Sequence, residues 1–174
     1  MVKCGEFFFI FTPYIKNPVA ALIGEFECSI DDKARLMLPS ALKKQLPKKD
    51  PNKFVINRGF EKQLNLYPWK EWDKVTASIN NLNLFVQKNR EFVRRFNNGA
   101  TELELDSSGR ILLPKSLMLY AGISKEAILF AHSDRIEIWS KQEYDKYMKQ
   151  GADDFAKLAE DVMGKMPNEK GDVS

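Results

Sequence analysis

The sequence predicts an α+β fold in which two copies of one strand–turn–strand–helix unit share a core and are flanked by longer helices. Three observations predict it. The stretch Asp106-Ser-Ser-Gly-Arg110-Ile-Leu-Leu-Pro114 has a twin in Asp31-Asp-Lys-Ala-Arg35-Leu-Met-Leu-Pro39, and Asp, Arg and Pro match at an offset of 75 positions. The flanks match too: Gly24-Glu-Phe-Glu-Cys-Ser-Ile30 lies over Gly99-Ala-Thr-Glu-Leu-Glu-Leu105, and Leu64-Asn-Leu-Tyr67 lies over Ile136-Glu-Ile-Trp139. Each copy is only about 45 residues, close to the lower limit for an independent core, so the halves are expected to share one.

Taken in order, residues 25–30 alternate as a strand, and the first turn with residues 35–38 completes a hairpin. Pro39 suits a helix start, Leu42 and Leu46 give the apolar face of a helix over 40–46, and Pro47 helps end it. Residues 54–56 and 64–67 are strands around Arg58-Gly59. Trp72, Val75, Ile79 and Leu82 step by 3, 4 and 3, the spacing of an amphipathic helix. Asn80-Asn81-Leu82-Asn83 separates it from a second helix, where Phe85, Phe92, Val93 and Phe96 read as core or subunit contact and Lys88, Arg90, Arg94 and Arg95 as a solvated face. Asn97-Asn98-Gly99 marks a turn.

The second copy is the more regular. Asp106, two serines and Gly109 form a turn sequence: the carboxylate can accept backbone N–H bonds and glycine supplies positive φ. Residues 110–113 form a short strand entered by a cation, and Pro114 opens a helix over 115–121 with Leu117, Tyr120 and Ala121 on one face. Gly122 is placed for a C-terminal cap. Ser140 with Glu143 is a capping-box pattern before the next helix, which runs to about Met148. Residues 153–163 continue as a further helix, and 167–174 have a disordered composition. In the first copy Ala34 stands where the second has Gly109. If the slot needs left-handed backbone, alanine costs roughly 1 kcal/mol there, so a looser or differently shaped first turn is expected.

Composition narrows the function. Hydrophobic residues are 44% and charged residues 29% of 174, a globular balance. Net charge is only +3, yet residues 151–174 carry −3, which leaves +6 on the body. Such a body can hold a basic patch for nucleic acid. Cys4 and Cys28 form neither a disulfide framework nor a metal spacing and read as reduced cytosolic thiols. The lone His132 matches no catalytic or metal pattern and reads as structural. The aromatic run at 7–11 is too short for a secretory signal core, and no run approaches the ~20 apolar residues of a membrane span. No phosphate-binding glycine loop, metal cluster or His-centred triad appears, so an enzyme is not expected, and no catalytic residue, metal or cofactor is assigned.

The two Asp-x-x-x-Arg turns in register, the Leu-Pro and Leu-Leu-Pro strand ends, Leu66-Tyr67-Pro68 and Asp134-Arg-Ile-Glu-Ile-Trp139 resemble the MraZ family over about residues 24–148. These are bacterial transcriptional regulators of the division and cell-wall gene cluster. The resemblance implies a pseudo-twofold, swapped-hairpin β-barrel of the AbrB, double-psi-like type. It divides the chain into an extension outside the pattern (1–23), a first repeat (25–71), a helical connection (72–98), a second repeat (99–142), and a C-terminal helix with acidic tail (143–174). It also implies a homo-oligomeric ring that presents many turns to double-stranded DNA with short spaced repeats, on the nucleoid and away from any membrane.

By the resemblance Arg35 and Arg110 are the DNA-facing residues, supplemented by Lys33 and, more weakly, Ser107 and Ser108. Arginine can take guanine O6 and N7 together, or clamp phosphates without reading sequence. Asp31 and Asp106 would repel phosphate and are expected, with Gly109, to order the turns. The lysines at 43, 44, 48, 49 and 53 read as a solvated face, with phosphate contact as the alternative. A different reading of the whole chain is a protein-interaction module of antitoxin-like barrel type.

Overall fold

The computed structural model describes residues 21–150 and 155–164. Cys4, the aromatic run at 7–11 and the stretch 167–174 lie outside the described residues. The first repeat consists of β1 (Leu22–Ser29), β2 (Arg35–Met37), α1 (Ser40–Lys43), β3 (Lys53–Arg58) and β4 (Gln63–Pro68). Helices α2 (Trp69–Asn80) and α3 (Gln87–Phe96) follow. The second repeat consists of β5 (Thr101–Glu104), β6 (Arg110–Leu112), α4 (Lys115–Ala121), β7 (Glu126–Ser133) and β8 (Arg135–Ser140), and α5 (Lys141–Gln150) and α6 (Phe155–Met163) come after it.

The local chemistry explains the short elements. Pro39 and Pro114 sit one residue before their helices, with φ −54° and −61° and extended ψ of 139° and 129°. Their fixed φ suits a helix entry, and the extended ψ carries the chain over from the strand. Gly122 ends α4 in the left-handed region at φ 65°, and Ile123 N–H donates back to the Met118 carbonyl at 2.9 Å. The helix expected over 40–46 is regular only to Lys43 and continues as single turns, although Leu42 and Leu46 are buried as their spacing requires. β1 starts at Leu22, three residues before the strand expected from Glu25. The Gln45 side-chain amide holds it there, accepting from Ile23 N–H at 2.9 Å and donating to the Ile23 carbonyl at 3.0 Å.

Six strands form one antiparallel sheet in the order β1-β7-β8-β4-β3-β5, and β2 pairs with β6 in a separate ribbon. Read from the centre outward, the order is pseudo-twofold: β8 and β4 meet in the middle, and each repeat lends its first strand to the other repeat's third. β1 runs along β7, and β5 along β3. The simple hairpin expected across residues 25–38 is therefore replaced. β1 and β2 share only the bridge Ile30↔Leu36, and beyond it their backbone groups go to different partners. Ile30 N–H, for instance, donates to the Lys125 carbonyl at 2.8 Å.

This exchange builds one core from both halves. Leu36 and Ile111 face each other across the ribbon and are completely buried. They join Leu38, Leu113, Leu42 and Leu117, the inward residues of β3, β4, β7 and β8, and others in a single cluster. On the opposite face of the sheet α2 and α3 pack through Tyr67, Trp72 and Phe96, with the Trp72 and Phe96 rings stacked 5.4 Å apart. Asn57 ties that layer down by donating to the Phe96 carbonyl at 2.9 Å. Of the aromatic stripe read from the sequence, Phe96 is core while Phe85 is 96% exposed. Arg90 is no simple solvated cation, because its Nη1 donates to the Leu84 and Phe85 carbonyls and orders the α2–α3 connection.

A shared core predicts shared unfolding. Ile111→Ala should cost about 2–5 kcal/mol, the usual range for truncating a buried aliphatic residue. Urea titrations followed by tryptophan fluorescence and by far-UV circular dichroism should shift together. Separate transitions for the two probes would contradict a single core.

Candidate nucleic-acid interface

The two Asp-x-x-x-Arg turns, 75 residues apart in sequence, lead into the two strands of one ribbon. In each, the aspartate carboxylate organises the loop. Asp31 Oδ1 accepts from the N–H groups of Lys33 and Arg35, both at 2.9 Å. Asp106 Oδ1 accepts from Ser108 N–H at 2.9 Å and Arg110 N–H at 3.0 Å. The second oxygen of each carboxylate clamps the arginine. Arg35 Nε and Nη2 both lie 2.8 Å from Asp31 Oδ2, and Arg110 Nε lies 2.8 Å from Asp106 Oδ2. Guanidinium is planar with five donors, so clamping the Nε edge leaves the outer end, with Nη1, free to donate elsewhere. Both arginine side chains are 30% exposed.

The first turn is not looser than the second. Ala34 takes the left-handed conformation at φ 61°, close to Gly109 at φ 76°. The expectation of a differently shaped turn fails because two sets of bonds over-determine the backbone there. One is the set of N–H bonds to Asp31. The other crosses the repeats: Leu113 N–H donates to the Ala34 carbonyl at 2.9 Å, as Leu38 N–H donates to the Gly109 carbonyl at 3.0 Å. Together they offset the steric cost of a Cβ in that region.

The ribbon register is Arg35↔Leu112, Leu36↔Ile111 and Met37↔Arg110. Side chains alternate across a strand, so with Leu36 and Ile111 inward, Arg35, Met37, Arg110 and Leu112 share the outward face. Met37 is 47% and Leu112 58% exposed. A two-stranded ribbon of this width can enter the DNA major groove. Lys33, Ser107 and Ser108 are exposed at the turn tips beside this face.

A family model described as "MraZ protein, putative antitoxin-like" matches this chain twice, at residues 21–95 and 96–165. The chain belongs to the MraZ family. Among its relatives, the "Transcriptional regulator MraZ" of Christiangramia forsetii is 48% identical over 82% of this chain and 93% of the relative. That of Flavobacterium psychrophilum is 44% identical over 88% and 98%, and that of Cytophaga hutchinsonii 41% identical over 79% and 91%. The two matches to the MraZ model meet at the last residue of α3, just before the Asn97-Asn98-Gly99 turn.

Within this MraZ chain the other singled-out residues lie apart from the turns. His132 Nε2 sits 3.1 Å from Glu137 on the outer face of the sheet, and Glu137 also accepts from Trp139 Nε1 at 2.9 Å. Cys28 is free and half-buried, and burial raises its thiol pKa. Among the described residues no group of three or more His, Cys, Asp or Glu side chains is placed to hold a metal ion. No described helix is long and apolar enough to cross a membrane. What sequence reasoning missed is the outward pairing of Met37 and Leu112 with the arginines. Period-2 alternation within each strand would have given it once the two strands were known to pair.

Two predictions follow from the turn geometry. Ala34→Gly should raise stability by up to about 1 kcal/mol, the steric cost of a Cβ in left-handed backbone, and thermal melts would reveal it. The second concerns acid. The Arg35 side-chain bond, helped by backbone N–H bonds, lowers the Asp31 pKa, and backbone N–H bonds, helped by the Arg110 side chain, lower that of Asp106. A carboxylate with a depressed folded pKa contributes stability that is complete above its unfolded value of about 3.9 and is lost as pH falls through the folded value. The turns should therefore stay ordered at pH 4, and carboxyl NMR titrations of Asp31 and Asp106 should both have midpoints below the unperturbed value.

Proposed function

We propose that this chain is a sequence-specific DNA-binding transcriptional regulator that represses the bacterial division and cell-wall gene cluster, its own gene included. One observation carries the reading: two arginines, each buttressed by its own aspartate, stand on the outward face of one ribbon. Buttressing removes the arginine's rotamer freedom before DNA arrives and aims a pair of N–H donors outward, the geometry that bidentate guanine recognition uses. The names of the relatives support the same reading.

In this proposal Arg35 and Arg110 read base edges, and Lys33, Ser107 and Ser108 contact the flanking backbone. Asp31, Asp106 and Gly109 hold the turns. The six-stranded sheet and the ribbon wrap the shared core as a swapped-hairpin barrel in which residues 25–71 and 99–142 are the repeats. Copies of the chain assemble into a ring on the cytoplasmic nucleoid and meet short, spaced repeats in double-stranded DNA. The exposed Leu84, Phe85, Val86 and Phe92 in and beside the α2–α3 connection support self-association, since monomers rarely leave such side chains together in water. A ring converts weak single contacts into tight binding through effective concentration. The chain acts by binding and uses neither catalysis nor a cofactor.

Fluorescence anisotropy on DNA from upstream of its own gene tests this. Wild type should bind it far more tightly than scrambled DNA. The Arg35→Ala/Arg110→Ala variant, still folded by circular dichroism, should lose that preference, since each bidentate guanine contact contributes roughly 1–3 kcal/mol of discrimination. Equal binding of wild type to both DNAs would sink the proposal.

A further inference from the structure

The two turns have the same backbone but different neighbours, and the difference falls on a position related by the repeat. Each turn is flanked by the short helix of the other repeat. A Cβ placed on Gly109 would come 2.6 Å from Lys43 Nζ at the end of α1. Ala34 of the first turn lines one cleft of about 370 Å³ with Met118 of α4. Lys43 and Met118 are equivalent residues at the repeat offset of 75. So the second turn has a lysine of the first repeat packed against it, where the equivalent place in the second repeat holds a methionine that lines the cleft beside the first turn.

The electrostatics give this weight. Asp31, Asp32, Lys33 and Arg35 sum to zero in the first turn, as Asp106 and Arg110 do in the second. Neither pentapeptide alone attracts a polyanion, so attraction must come from what stands beside it. Beside the first turn, Lys115 and Lys125 line the cleft together with Asp31 and Asp32. Beside the second, Lys43 is half-buried, its Cδ and Cε 3.6 Å from where a Gly109 Cβ would lie, and among the described residues no carboxylate pairs with it. A partly exposed lysine whose stem packs on a turn and whose ammonium has no carboxylate partner is free to meet a phosphate.

We propose that Lys43 is a phosphate-contact residue of the second turn, supplied from the opposite repeat, so that Arg110 and Lys43 engage the DNA backbone and bases as a pair. The proposal rests on the reading of this chain as a DNA-binding protein. The two turns are then equal in shape but draw their neighbouring cations from different places, Lys43 of α1 against the second and Lys115 and Lys125 beside the first. Gly109 has a second role: its missing Cβ leaves the space in which the ammonium sits.

The test is a salt series of anisotropy titrations on the upstream duplex and on its scrambled control, with wild type, Lys43→Gln, Lys43→Arg and Met118→Lys. Each phosphate neutralised contributes about 0.9 to the slope of log affinity against log salt. Lys43→Gln should flatten the slope by about that much for every second turn engaged, on both duplexes alike, and leave the ratio between them unchanged. Lys43→Arg should restore the slope, and Met118→Lys should steepen it by giving the first turn a further cation at the place equivalent to Lys43. Wild-type binding in which Lys43→Gln keeps the full slope overturns the role of Lys43 alone. Wild-type binding with no salt dependence overturns both this proposal and the DNA-binding reading. If Lys43→Gln does not fold, an unchanged slope in Met118→Lys overturns the proposal, and a steeper one supports it.

Discussion

The structure depends on the pairing of β2 with β6. These strands have only three residues each, too few to be stable as an isolated pair. They persist because Leu36 and Ile111 beneath them are sealed in the core and because the ladder is extended at both ends. The extensions are the bonds from Leu38 and Leu113 N–H to the Gly109 and Ala34 carbonyls. Each repeat thereby closes the other's turn. Neither repeat alone holds the partners for its own backbone, which explains why β1 leaves β2 after one bridge and pairs with β7.

That constraint also positions the arginines. A turn that must offer its left-handed carbonyl to the neighbouring strand cannot move freely, and the aspartate that fixes the turn is the same group that fixes the arginine. Backbone order and side-chain aim are thus one arrangement of hydrogen bonds. It tolerates alanine at position 34 because the bonds around that residue outweigh a local steric penalty on the order of 1 kcal/mol. The aspartates lie next to a candidate polyanion site, yet both are occupied by N–H groups and guanidinium, so their charge is spent inside the turn.

The faces of the large sheet divide the labour differently. One face is mostly aliphatic, with Phe54 among its buried residues, and closes the common core. The other carries Asn57, Gln63 and Asn65, all buried, with the aromatic residues on which α2, α3 and α5 pack. Asn57 spends its amide on the end of α3. The helices are therefore attached by a few specific polar and aromatic contacts, while the common core relies on area.

The sequence by itself determined the repeat, the element order, the two turns and the residues within them. Those features are local: Asp with Ser or Gly makes a turn, proline opens a helix, and alternation marks a strand, all within a few residues. It misjudged the first turn, because Ala34 is permitted by a bond from Leu113, a residue 79 positions away, and propensity does not register such a partner. It assigned a hairpin where strands are exchanged, because a hairpin and its swapped form have the same sequence pattern and differ only in whose edge receives the N–H groups. Only the tertiary structure put both arginines on one face with Met37 and Leu112, and placed Lys43 against Gly109. Those relations cross from one repeat to the other, and they are set by the packing of two halves around one core.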